Sequence, residues 1–549
     1  MHRRHLWLLA ASLIVALGLV TAASARVSHS SAPKVKVGGT LLFGAEQEVD
    51  CLNLLLNPCN QFWGQVFQSP VIRPAYVIQP DFSYKPDLVS KVALKLRPMR
   101  LTYYIRKQAK WNDGVPVTAK DFTFTLQTIM NQKYDIVSRN GYDLISGTKV
   151  SGGGKVVTFT FKKPYADWKD LFSPYVLPQH ALAGADFSTV WNDGIVNPKS
   201  GKPISDGPFV LTQWQKGSQI TEVRNPSWWG PHKPYLNSII FRFLTNTNTE
   251  IQQVRGGEVD AIYPQPQLAL AELRSASGLV VRSSLGSTWE HVDIQQGPKG
   301  NPLAKNLWVR QALILSLDRN AVLKALFGSL NPGLQVLQNV LYFNNFPQYK
   351  AHWTKWNYNP TRANQILTSH GCKKGGDGIY SCNGTRLTFQ FESTRGNKLR
   401  EFAFTIMQDI WKKNGIEVTD NFKPASIAFG QDLVQGNYDL FMFAWVGTPD
   451  PSGNTPIWSC PNAGGTQNYM SYCNTKVTRL LKQGDVTLKA KTRAAVVNSA
   501  DAAMANDIPT IPLYQKPTFL VFHNYVKGMR DNPTNQGPTY NAEDWWLNK

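Results

Sequence analysis

Past residue 20 this chain has no apolar run long enough to cross a bilayer, which takes about 20 residues. It has no G-x-S-x-G elbow, no H-E-x-x-H, and no S-x-x-K with its partner motifs, so the common hydrolase chemistries lack their carriers. Its 9 histidines are dispersed and no cysteine pair has C-x-x-C spacing, which argues against a metal cluster. Gly152-Gly153-Gly154-Lys155 lacks the spaced first glycine and the Ser/Thr of a phosphate loop, and reads as a hairpin turn. The formal charge is +21, yet Lys and Arg are scattered, with no basic stripe and no nucleic-acid motif. No nucleic-acid partner, metal or cofactor is expected. Internal repeats and low-complexity blocks are absent too.

What is present is a long globular chain. Its 549 residues exceed one ordinary core, so two or more lobes are expected. Hydrophobic residues at 42% and charged residues at 17% give a folded rather than a disordered balance. Residues 1–25 read as an export signal: Arg3 and Arg4, an apolar stretch from Leu6 to Val20, then Ala23-Ser24-Ala25 for cleavage after Ala25. Residues 26–37 read as a linker. The mature protein is expected outside the cytoplasm, periplasmic or extracellular and associated with the cell surface. The signal has no lipobox cysteine, so a lipid tether is not indicated.

Six cysteines suit that compartment. Cys51 and Cys59, Cys372 and Cys382, and Cys460 and Cys473 are near neighbours across loop-like segments, and local disulfides are the simplest of 15 pairings. A zinc site is the sharper alternative.

Strand, turn and capped helix alternate along the chain. Leu101–Arg106 reads as a strand, Asp113-Gly114 as a turn, and Thr118 to Asp121 as a capping box opening a helix. Further strands are expected at 39–44, 239–244, 259–263, 416–418 and 438–445. Helices are expected at 249–255, 305–315, from Asp318 to Gly328, and at 402–413. This is an α/β fold with an α+β insertion.

Several stretches resemble the extracytoplasmic solute-binding proteins of dipeptide, oligopeptide and nickel importers (solute-binding family 5). Trp111-Asn112-Asp113-Gly114-Val115-Pro116-Val117-Thr118-Ala119-Lys120-Asp121 is similar to the family's W-x-D-G-x-P-x-T-A-x-D. Asp206-Gly207-Pro208-Phe209, Asn225-Pro226-Ser227-Trp228-Trp229, Gly256-Gly257-Glu258-Val259-Asp260, Val309-Arg310-Gln311-Ala312 with Leu317-Asp318-Arg319, and Gly436-Asn437-Tyr438-Asp439-Leu440 follow in the family's order.

The resemblance implies a two-lobed type II periplasmic-binding-protein fold with an extra subdomain in lobe I. Lobe I would comprise 38–70, 205–295 and 510–549, the inserted subdomain 71–204, and lobe II 296–509. The hinge crossings would fall near 292–294 and 508–511. It also implies a monomer that takes a small molecule or short peptide between its lobes and hands it to ABC permease subunits. No enzyme activity is expected.

Relatives hold a peptide amine with an aspartate after the G-x-Y-D strand. Here Asp450 is the candidate, or it only caps the Pro451 turn. Arg395, or Arg400, would hold the peptide carboxylate, unless Arg395 is an ordinary solvated loop residue. Trp445 and Tyr469 could stack on ligand, and Glu46 and Glu48 follow the first strand toward the cleft. A non-peptide solute (a sugar or nickel chelate), or a sensing role without transport, is the alternative.

Overall fold

The computed structural model describes residues 34–448 and 450–549; the expected signal at 1–25 and most of the 26–37 linker lie outside the described residues. Thr40–Ala45 is an inner strand of a seven-stranded sheet. It runs parallel to Ser238–Phe243 on one side and to Ala261–Ile262 on the other. Leu41, Phe43 and Ala45 are fully buried, as suits a strand covered on its apolar face. A second, five-stranded sheet has the order Glu417–Asp420, Thr388–Glu392, Leu440–Val446, Leu285–Ile294, Thr510–Pro517.

Two large apolar clusters pack against the sheets, the second also taking Ile262 and Val521 from the first sheet. Phe43, Trp63, Phe67, Trp111 and Phe241 belong to one cluster, and Trp289, Val292, Leu313, Trp411 and Met442 to the other. A third sheet, antiparallel and four-stranded, joins the first core. Its strands are Val89–Leu96, Met99–Ile105, Val156–Phe161 and Ile145–Ser151. Its inner face is covered by helix Ala119–Met130, with Phe122 packed on Tyr103 at 5.5 Å between ring centroids. That helix starts at the expected capping box: Thr118 accepts from the Lys120 amide and the Asp121 carboxylate accepts from the Thr118 amide.

The chain changes sheets twice, at neighbouring points. Leu279–Arg282 belongs to the first sheet and Leu285–Ile294 to the second, while Thr510–Pro517 returns to the first sheet at Leu520–His523. The two crossings are tied together by Thr518 N donating to Ser284 O at 2.9 Å. The sequence expectation put these crossings near 292–294 and 508–511. Residues 292–294 and 510–511 lie instead inside the second sheet, where Asp293 pairs with Thr510 and Val292 with Ile511.

Other boundaries shift for local reasons. The helix expected from 402 begins at Lys398, because the Asn397 side chain caps it by accepting from the Arg400 amide. The strand expected at 259–263 shrinks to Ala261–Ile262, since Asp260 ties down Leu42 partly through its side chain. Trp228 and Trp229 are buried in the first core and do not face ligand space. Gly152–Gly154 turns between paired strands, as a hairpin should. The three local disulfides are present: Cys51–Cys59, Cys372–Cys382 and Cys460–Cys473. No helix among the described residues is long and apolar enough to cross a membrane.

Candidate functional site

A cavity of about 880 Å³ lies between the two cores, within the usual range for organic ligands. Glu46, Trp63 and Asp170 line it from the first core, and Arg395, Trp445 and Tyr469 from the second. Side-chain amides, among them Asn57, Gln61, Asn140 and Asn397, supply much of its polar lining.

Its inner wall carries a buried charge network. Glu290, wholly buried, accepts from Arg400 Nη2 at 3.0 Å and from Lys516 Nζ at 3.3 Å. Lys516 also donates to Gln265, which donates to Glu46, and Trp63 Nε1 donates to Glu46 at 3.3 Å. Burial pushes the Glu290 carboxyl up, but the Arg400 and Lys516 charges outweigh it and leave it below its ordinary value. Glu46 ends above its ordinary value, because burial exceeds the opposing pull of Lys516. Two acids face two bases here. Arg400 is therefore spoken for by Glu290, and it is a poor holder for a ligand carboxylate.

A second cluster spans the two cores. Tyr84 Oη lies 2.8 Å from Asp450 Oδ2 and also hydrogen-bonds Asp170. Asp167, alongside, is clamped by Arg493 through both carboxylate oxygens and accepts from Ser452 N at 2.9 Å. A hydroxyl has one hydrogen, so Tyr84 satisfies both Asp170 and Asp450 only when one of those carboxyls keeps its proton. The electrostatics agree. Burial first and the Asp167 charge second push Asp450 up to about 6. Burial and the Asp450 charge push Asp170 well above its ordinary value.

Oxygens of Asp167, Asp170 and Asp450 lie within 4.8 Å of one another, a spacing that suits a cation. Arg493 already neutralises Asp167, so Asp170 and Asp450 remain as two unmet carboxyls, a demand that a proton or an ammonium would relieve.

The sequence candidates fall in different places. Asp450 does not cap the Pro451 turn, which has no side-chain cap, and its carboxyl points to Tyr84 instead. It stands behind Asp170, which does line the cavity. Trp445 and Tyr469 are brought together, stacked at 6.1 Å with 11° between their planes, and both line the cavity. The Trp445 indole N–H is buried with no partner among the described residues, a donor left for an occupant. Tyr469 Oη reaches Asn57 on the opposite core at 3.3 Å. Arg395 lines the cavity but is exposed, donating to the Phe422 carbonyl at 2.7 Å. Glu46 is absorbed in the inner network. Glu48 lines the cavity while accepting from Trp214 Nε1 at 2.9 Å and Gly217 N at 3.0 Å.

Sequence reading missed Tyr84, Asp167, Asp170, Glu290, Arg493 and Lys516. Glu290 and Lys516 each lie inside a strand, but polar neighbours in those strands leave no distinguishing signal. It also missed the segment Ala428–Leu433, which forms a π-helical turn beside the cavity. A Cβ at Gly430 would lie 2.4 Å from Asp50 Oδ2 of the opposite core, so a larger residue there would displace the Asp50 carboxylate.

Known proteins share this architecture along nearly the whole chain. The oligopeptide-binding protein AppA of Bacillus subtilis (strain 168) is 24% identical over 558 aligned positions, covering 99% of each chain. The structure of AppA from Bacillus subtilis with a nonapeptide superposes with a TM-score of 0.84 at 22% identity, covering 94% of this chain and 100% of that one. A periplasmic EDTA-binding protein, EppA, superposes with a TM-score of 0.82 at 23% identity, covering 94% and 98%. The family model described as bacterial extracellular solute-binding proteins, family 5 (middle region), matches residues 83–467. The chain therefore belongs to the bacterial extracellular solute-binding proteins of family 5.

Proposed function

We propose that this protein is exported, binds a short peptide between its two lobes and delivers it to the permease of an ABC importer, with no catalytic step of its own. The observation that carries the reading is the cavity, about 880 Å³ and lined by side-chain amides from both cores. A peptide backbone offers a donor and an acceptor at each residue, and buried amides satisfy both. The Trp445–Tyr469 stack offers a flat apolar wall for a ligand side chain. The peptide amine would take the place of the proton at Asp170, with Asp450 behind it. Arg395, at the exposed edge, would hold a carboxylate.

Under this reading the lobes move about the crossings at 282–285 and 517–520, which the Ser284–Thr518 bond holds in step. Contacts such as Asn140 Nδ2 to Asp485 Oδ2, 3.0 Å, would form on closure. A ligand favours that state only by binding it better than the open one.

Native mass spectrometry of the purified protein should reveal a carried peptide. Calorimetry should then show that N-acetylated peptide binds at least tenfold more weakly than the free amine. Recovery of a sugar or metal chelate with no peptide defeats the peptide assignment. A polycarboxylate ligand is a second reading, favoured by Lys216 and Arg395 on the wall and by the EDTA-binding structural neighbour.

A further inference from the structure

The acid cluster stands beside an apolar recess of the cavity. Leu54, Ile129, Tyr142, Tyr165 and Leu171 line the cavity there, and all five are buried members of the first apolar core. Ile129 comes from the helix Ala119–Met130, Tyr142 from the turn Tyr142–Leu144, and Tyr165 and Leu171 from the segment after strand Val156–Phe161. Gly141 lets the Tyr165 ring in: a Cβ there would lie 2.5 Å from it, and the φ of +80° suits glycine.

This recess adjoins Asp170. Leu171 is its neighbour in the chain. Burial, and after it the Asp170 charge, raises the Tyr142 hydroxyl above its ordinary value. Burial and the charges of Asp485, Asp167 and Asp170 do the same at Tyr165, so both rings stand beside that carboxyl.

The polar groups at this end are mostly engaged. Tyr142 Oη accepts from Phe172 N. Ser452, facing from the second core, donates its amide to Asp167 at 2.9 Å. Its carbonyl accepts from Asn140 Nδ2 at 3.1 Å and its hydroxyl from Arg493 Nη2 at 3.0 Å. Ser173 Oγ is the exception, buried without a partner among the described residues. A polar side chain entering here would give up its water for one hydroxyl, whereas an apolar one would only leave water. Interiors hold few voids larger than a water molecule, so apolar space that opens onto a ligand cleft is room for an occupant.

We propose that this recess takes the first side chain of the bound peptide and selects a large apolar one, leucine or phenylalanine. The inference rests on the reading that a peptide amine sits at Asp170, because the first side chain leaves the carbon that carries that amine. An acidic first residue is refused twice, by the lack of donors and by repulsion from Asp170 and Asp450.

The test is calorimetry on the mature chain with five peptides: Leu-Ala-Ala, Phe-Ala-Ala, Ala-Ala-Ala, Asn-Ala-Ala and Ala-Ala-Leu. Asparagine is close to leucine in size, so Asn-Ala-Ala isolates polarity. Ala-Ala-Leu has the composition of Leu-Ala-Ala and isolates position. Leu-Ala-Ala and Phe-Ala-Ala should bind about tenfold or more tighter than Ala-Ala-Ala and Asn-Ala-Ala, with at most about threefold gained by Ala-Ala-Leu. Ile129→Ala widens the recess and should shift the preference toward Phe-Ala-Ala over Leu-Ala-Ala by about threefold or more. If that variant fails to fold, the peptide series decides without it. Equal affinities across the first position, or an equal gain from Ala-Ala-Leu, overturns the recess and leaves the peptide reading standing. Binding by none of the five overturns the peptide reading, and this inference with it.

Discussion

The two charged clusters beside the cavity are built from the same residue types and do different work. The inner one, Glu46, Gln265, Lys516, Glu290 and Arg400, balances two carboxylates with two cations. The bridging one, Tyr84, Asp167, Asp170, Asp450 and Arg493, has three carboxylates and one clamped guanidinium. Balance lets the inner network hold its strands in register without further help. Imbalance leaves the bridging cluster short of two positive charges, and a ligand ammonium, or a proton, would relieve part of that shortage. Burial alone does not make a charged group functional; an unmet electrostatic demand on a cavity wall does.

Breaking the inner balance should have the largest effect. Glu290→Ala leaves Arg400 and Lys516 buried without their shared carboxylate, and unfolding free energy should fall by about 3–5 kcal/mol, read by denaturant titration. The bridging cluster should respond the opposite way. Asp170→Asn with Asp450→Asn removes repulsion between carboxyls, so stability should hold or rise. Affinity for a free-amine peptide should drop about ten- to a hundredfold by calorimetry, some 1.4–2.7 kcal/mol. A stability loss as large as that of Glu290→Ala would erase the contrast between the clusters.

Proton linkage sharpens it. Asp450 is raised from 3.8 to about 6, and Asp485 nearby is also raised to about 6, chiefly by burial. The folded protein thus binds these protons more tightly than the unfolded chain. The stabilisation is complete below about pH 3.8 and is lost as pH rises through about 6. Thermal midpoints measured from pH 4 to 8 should show this decline, and Asp450→Asn should flatten it by on the order of 1 kcal/mol. The smallest effect belongs to Tyr84→Phe, about 0.5–1.5 kcal/mol for each hydrogen bond lost to Asp170 and Asp450. It should also shift the midpoint of that pH dependence, which a purely packing role would leave in place.

Much of the frame is readable in the residues. The Thr118–Asp121 capping box, the Asp318 cap and the hairpin at Gly152–Gly154 depend on neighbours a few positions away, and they appear where expected. Trp445 and Tyr469 were legible as candidates through their place after a family motif. Their stacking was not, because 24 residues separate them. Asp450 was legible as an acid in the right loop, but its partners Tyr84 and Asp170 come from segments more than 270 residues earlier in the chain. The expected crossings lie about nine residues from the observed ones, since 285–294 and 510–517 read as strands whichever sheet they join.

Sequence by itself determined the turns, caps, local disulfides and apolar strands, because each is set by short-range geometry and by which faces avoid water. Tertiary structure decided which charges end up satisfied. Arg400 and Arg395 are five residues apart, and only the fold pairs one with Glu290 and leaves the other at the open edge of the cavity. Asp167, Asp170 and Asp450 are ordinary acids until the two cores bring them together. The proton affinities of Asp170 and Asp450 then rise because burial and like-charge repulsion act over ångströms in space, not over positions in the chain.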